Sequence, residues 1–267
     1  HSIAAHEAAV RAAIEWIEDT AVLVRRGPQG HVRLPGDGLI AAAYRHRMSR
    51  ALDPQLHTHV VAANLTRGPD RRFTALFGAP IYQAAKTGGY LYQAHLRAEI
   101  SERLGLEWGP VSKGAAELKD VPPAALEEFS RRRHEMQRAA AEGGFSLASK
   151  RSAEAAAVDT RERKQYGIET HTWREEIEAR AAEHGLGRDE VAELCARGAA
   201  RLEHAGRSSE SAAAAGIGVE VPEGLELCEL AVRLAGPDGL TERSNTFDGR
   251  AVLQEFAQAA GQGARVP

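Results

Sequence analysis

The 267 residues carry 34 Lys and Arg against 37 Asp and Glu, a formal net charge of −3, with two cysteines and 5% aromatic residues. That length holds one large or two small domains, while the near-neutral balance excludes a uniformly basic nucleic-acid coat. Cys195 and Cys228 are too few for a disulfide framework or a cysteine-based zinc motif, and no apolar run is long enough to span a bilayer, so a cytoplasmic protein without membrane insertion is expected.

The chain starts at His1 rather than Met and enters a helical pattern at once, so a preceding segment is expected. Ile3, Val10, Ile14 and Ile17 recur at helical spacing and predict an amphipathic helix over residues 2–26. GPQGHVRLPGDG (27–38) has the Gly and Pro content of a loop or tight hairpin. LIAAAYRHR (39–47) reads as a strand, SRALDP as a turn, and LHTHVVAANLT (56–66) as a second strand, antiparallel to the first across a simple hairpin. RGPDRR is another turn and FTALF a short extended piece. Residues 80–104 form a long helix with Pro80 in its first turn. Gly88 and Gly89 inside it cost about 1 kcal/mol each relative to Ala, which a close packing contact would explain.

Beyond residue 120 the pattern is almost wholly helical, with candidate helices over 122–142, 149–166, 170–184 and 187–205. GRSSESAAAAGIGVEVPEG (206–224) has the small, flexible composition of a linker. SNTFDGRAVLQEFAQAAGQGA then shows a Ser/Thr/Asp entry followed by a helical pattern. The fold class read from these elements is α+β: an antiparallel sheet flanked by helices and followed by a helical lobe.

Charge is unevenly placed. Six arginines face two aspartates between Arg45 and Arg72, whereas thirteen acidic residues face five arginines between Glu175 and Glu229. The basic stretch surrounds DPQLHTHVV (53–61), where His57 and His59 share one face of an extended strand. His46, near the end of the preceding strand, can lie opposite either of them, with facing Cβ atoms about 4.5–5.5 Å apart. Three imidazoles on one face make an incomplete coordination shell, and an open shell presents its metal to a substrate. Imidazole alone does not choose among Mg, Mn, Zn or Ni. A metal beside guanidinium groups suits a phosphate. Arg45, Arg47, Arg50, Arg67 and Arg72 are therefore candidate phosphate contacts, against the plain alternative of solvated strand ends and turns. Arg131–Arg133 reads as a solvated helix face. His6, His31, His95, His134, His171, His184 and His204 read as surface or packing residues.

YRHRMSRALDPQLHTHVVAANLTRGPDRRFTAL (44–76) resembles the signature of the MobF-type conjugative relaxases of the HUH endonuclease superfamily. LYQAHLRAEISERLGLEW and DTRERKQYGIETHTWREEIEARAAEHGL are also similar to that family, and the resemblance covers roughly residues 1–200. LTERSNTFDGRAVLQEFAQA is similar to the segment opening the helicase part of relaxase-helicases.

The resemblance implies a HUH relaxase-like palm, here an incomplete antiparallel sheet, whose metal ligands are His46, His57 and His59. It implies nicking of single-stranded DNA at a plasmid transfer origin, with conjugation machinery proteins as partners. A tyrosine attacks the scissile phosphate and stays bound to the 5′ end, which conserves the bond energy for rejoining. In this family the nucleophilic tyrosines and an acidic strand lie near the N-terminus and have no counterpart here, so the catalytic tyrosine is expected upstream of residue 1. Tyr82, Tyr90 and Tyr92 read as helix packing, and Asp53 either orients the hairpin or a histidine, or caps the turn. The domain division that follows is a relaxase core over 1–115, its helical lobe over 116–205, a linker over 206–240 and the start of a helicase-like domain over 241–267. No G-x-x-x-x-G-K-[ST] occurs, so no ATP site is expected within the chain. A non-catalytic DNA-binding module and a metal-dependent phosphoesterase using water are the rival readings.

Overall fold

The computed structural model describes residues 1–144, 167–213, 232, 234, 236, 239, 240 and 248–265. The expected helix over 149–166 lies outside these residues. The helices are α1 (Ser2–Ala21), α2 (Gly78–Leu104), α3 (Pro123–Glu128), α4 (Arg131–Glu142), α5 (Thr170–Glu183), α6 (Arg188–Ala213) and α7 (Gly249–Ala259). The strands are β1 (Leu23–Arg26), β2 (Val32–Pro35), β3 (Ala41–Met48), β4 (Pro54–Ala62), β5 (Thr66–Arg67) and β6 (Phe73–Thr74). They pair as three two-stranded ribbons, β1–β2, β3–β4 and β5–β6. The chain divides into two compact units: one of His1–Tyr44, His59–Lys119 and the described residues from Cys195 onward, the other of Arg45–Thr58 and Asp120–Leu194. No described helix is long and apolar enough to cross a membrane.

In the first unit α1 lies on α2. Ala5, Ala9 and Ala13 fall four apart on α1 and are buried, as are Ala84, Leu91, Ala94 and Ala98 on α2. Small side chains at helical spacing let the two backbones approach closely. Gly88 marks such an approach, since a Cβ there would lie 3.1 Å from Ile17 Cδ1. A Cβ at Gly89 would have nothing within 4 Å, so the packing explanation holds for the first glycine only. Helix α1 stops at Ala21, short of the predicted residue 26. The β-branched Val22 and Val24 favour extended backbone, and Leu23–Arg26 pairs antiparallel with Val32–Pro35, burying Val24 completely.

Helix α2 ends in the left-handed conformation at Gly105 (φ 63°), whose N–H donates to Ser101 O. A Cβ at Gly105 would lie 2.0 Å from Gly198 O on α6, so backbone meets backbone there. Helix α7 is capped by Asp248, which accepts from the N–H groups of Arg250 and Ala251. It packs on α2 through a bond from Gln254 Nε2 to Thr87 Oγ1 (2.7 Å) and through Arg97. Arg97 is fully buried. Its Nη1 donates to Gly114 O (2.8 Å), and its Nη2 to Ala257 O (2.6 Å) and Ala260 O (3.2 Å), placing a cation at the α7 C-terminus. Burial pushes this guanidinium down to about 10. The segment read as a 206–240 linker begins inside α6, which continues to Ala213.

Candidate metal centre

The site sits on the β3–β4 ribbon. Its far end is joined by Ala63 N–H to Ile40 O (2.8 Å) and its tip by Ser49 N–H to Asp53 O (2.9 Å), so the strands run antiparallel as expected. β3 supplies His46, and β4 supplies His57 and His59. One nitrogen from each of the three rings lies within 4.8 Å of the others. The His46 and His57 ring centroids are 5.3 Å apart with the planes tilted by 32°. His57 Nδ1 is 2.9 Å from Gln55 O. A carbonyl only accepts, so that nitrogen carries the proton and Nε2 keeps its lone pair, the arrangement that orients metal-binding histidines. Three nitrogen donors with no thiolate or carboxylate fit a borderline divalent ion such as Zn or Ni better than Mg.

The tip of the ribbon is fixed by its own unit. Leu52 sits at φ 62°, and its carbonyl accepts from Trp173 Nε1 (2.8 Å) on α5. Asp53 is 2% exposed. It accepts from Arg131 N (3.0 Å) and Arg131 Nε (2.7 Å) at the start of α4, and Arg131 Nη2 reaches Ala51 O. Arg180 Nη2 lies 3.7 Å from Asp53 Oδ1, and its Nε donates to Glu128 Oε1 (2.7 Å). That hydrogen bond holds the Glu128 carboxyl below its ordinary value. Among the described residues, Asp53 is thus bonded to arginines of the helical unit. Arg131, read from sequence as part of a solvated face, is instead the tip's main anchor. Its partner is 78 residues away in the chain, and no local pattern announces it.

The candidate arginines are dispersed. Arg45 and Arg47 flank His46 on β3, so strand alternation turns them to the opposite face. Arg50 is half-buried in the turn, and Arg67 is paired with Asp37 at 2.5 Å. Arg72 is exposed, with its carbonyl accepting from Gly68 N–H. Tyr44, two residues before His46, shares its face and is 56% exposed. Of the tyrosines read as packing, Tyr92 is half-buried and its hydroxyl is 2.8 Å from His6 Nδ1, while Tyr82 is 84% exposed on α2. His6 is buried, His134 pairs with Glu127 at 2.8 Å and His171 with Glu175 at 3.3 Å, so these histidines serve packing and surface pairing.

Known proteins resemble this chain over much of its length. The TrwC relaxase family model matches residues 2–184. The multifunctional conjugation protein TraI of Escherichia coli is 35% identical over 174 residues, 61% of this chain and 9% of that protein. A copper-bound structure of the conjugative relaxase TrwC in complex with oriT DNA superposes with a TM-score of 0.64 at 30% identity, covering 69% of this chain and 63% of that one. A TrwC complex with a 27-mer DNA comprising the recognition hairpin and the cleavage site gives the same TM-score and identity, covering 69% and 66%. The chain therefore spans about a tenth of the TraI length and just under two thirds of these TrwC chains. With the family model spanning residues 2–184 and the three histidines inside that span, the chain belongs to the TrwC relaxase family.

Proposed function

We propose that this chain is part of a conjugative relaxase that nicks single-stranded DNA at a plasmid transfer origin in the bacterial cytoplasm, delivering the strand to the conjugation machinery. The observation that carries this reading is the meeting of His46, His57 and His59 on one ribbon within the family-matched segment. These three residues would hold a divalent ion, and when bound it would polarise a non-bridging oxygen of the scissile phosphate. The chain's own contribution is positional. The Gln55 carbonyl fixes the His57 ring, β-strand alternation puts His57 and His59 on one face, and the Asp53–Arg131 bonds hold the tip that connects them to His46. In this reading a tyrosine attacks the scissile phosphate and stays bound to the 5′ end. Residues 1–115 form the relaxase core and 116–205 its helical lobe.

Two measurements test this. Calorimetric titration with Ni or Zn gives one site per chain, and His57→Ala with His59→Ala weakens it by more than the roughly 10–100-fold that loss of a supporting contact causes. Equal affinity in the double variant removes the metal site. A denaturing gel of labelled transfer-origin single strand, incubated with the whole protein and the divalent ion, gives a covalent protein–DNA adduct. Free 5′-phosphate ends without an adduct favour a water-using phosphoesterase, and binding without cleavage favours a DNA-binding module.

A further inference from the structure

The β1–β2 hairpin carries two arginines that the histidine site does not use. Arg25 and Arg33 stand directly opposite each other across the strands, so both side chains leave the ribbon on the same face, and both are exposed. Like charges at facing positions destabilise a strand pair. No carboxylate relieves them: Leu23–Pro35 contains no acidic residue, and neither guanidinium has a carboxylate partner among the described residues. Arg26, on the same strand, provides the contrast. Asp70 neutralises it with two hydrogen bonds of 2.8 Å, which hold the Asp70 carboxyl far below its usual range.

The pair is also held in place. Gly30 sits at φ 70°, and a Cβ there would lie 3.3 Å from Arg25 Cβ and 3.4 Å from Arg25 Cδ, so the missing side chain leaves room for the arginine stem. Both guanidinium carbons lie 5.0 Å from the centroid of the Phe77 ring. Phe77 N–H donates to Leu23 O (2.8 Å), which ties the ring to the hairpin. The negative ring face offsets part of the repulsion. An anion that accepts from both forks removes it, and guanidinium geometry matches phosphate oxygens. We propose that Arg25 and Arg33, gathered on Phe77, form a phosphodiester clamp for single-stranded DNA, separate from the histidine centre and from Arg45, Arg47, Arg50, Arg67 and Arg72. This rests on the DNA-nicking reading above.

The test is a fluorescence-anisotropy titration of the full 267-residue chain with a labelled single-stranded oligonucleotide. Across salt of about 50–200 mM, Arg25→Ala with Arg33→Ala lowers affinity at low salt and flattens the slope of log K against log salt by about 0.7, the share of one single-strand phosphate. The single variant Arg33→Gln gives about half that change in slope, and serves if the double variant does not fold. Arg188→Ala, whose guanidinium already pairs with Glu178 at 2.6 Å, leaves the slope unchanged. Wild-type slope and affinity in a folded double or single variant overturn the clamp alone. A parent chain that binds no single strand at all overturns both the clamp and the nicking reading. Full displacement of the oligonucleotide by inorganic phosphate at matched ionic strength, or an equal loss on duplex DNA, overturns the assignment to a single strand.

Discussion

The α1–α2 pair and the tip of the β3–β4 ribbon are secured by opposite means. Along the helix pair, Ala5, Ala9, Ala84 and Ala94 are at most 3% exposed, and many small contacts share the stabilisation. At the tip, β3 and the start of β4 leave most side chains in solvent, and one buried carboxylate, Asp53, gathers the bonds from Arg131 and Arg180. An element that must offer its side chains to a substrate cannot also bury them. Its position therefore depends on a few directional bonds, each of which matters more than any single helix contact.

Arg97 is the place where that comparison is most readily broken, because it is a charged node inside the helix layer. Arg97→Ala leaves three carbonyls without their donor and opens a cavity, and should cost about 4 kcal/mol in urea unfolding. Arg97→Met keeps most of the volume, leaves no buried charge, and should cost about half as much. Equal costs would mean that α7 is held by the Arg97 hydrogen bonds and that the packing of its side chain adds nothing. Asp53→Ala comes next, at about 3 kcal/mol, since it strips the tip of its acceptor while the Arg131 side chain keeps partial access to water. Amide exchange should speed up along α4 and stay unchanged along α1. A cost below about 1 kcal/mol would show that the tip does not depend on this carboxylate.

The smallest effect separates two neighbouring glycines of α2. Gly89→Ala meets open space and should stabilise by about 0.5–1 kcal/mol through helix propensity. Gly88→Ala must displace Ile17 Cδ1, so its gain should fall near zero or turn into a loss. Thermal melts of the two variants check this, and equal shifts would deny the close approach of α1.

The site was legible to very different degrees. His46, His57 and His59 could be found because strand periodicity is local: alternation puts 57 and 59 together, and a short turn brings 46 alongside. The Asp248 cap and the helix after it were legible for the same reason. The anchoring of Asp53 by Arg131 and Arg180 was not, and neither was the end of α1 at Ala21. In the first case the partners are separated by 78 residues or more. In the second, an alanine-rich helical pattern runs into Val22 and Val24, and only pairing with Val32–Pro35 decides where it stops.

The sequence by itself determined which side chains can bind a metal, and that they share one face of a ribbon, because both follow from chemistry and spacing within a dozen or so residues. The tertiary structure alone decided that Asp53 is an anchor for the ribbon tip, that Arg97 closes the end of α7, and that Arg25 and Arg33 gather on Phe77. Each of these depends on which distant groups share the space around a charge, and spacing along a chain does not encode that.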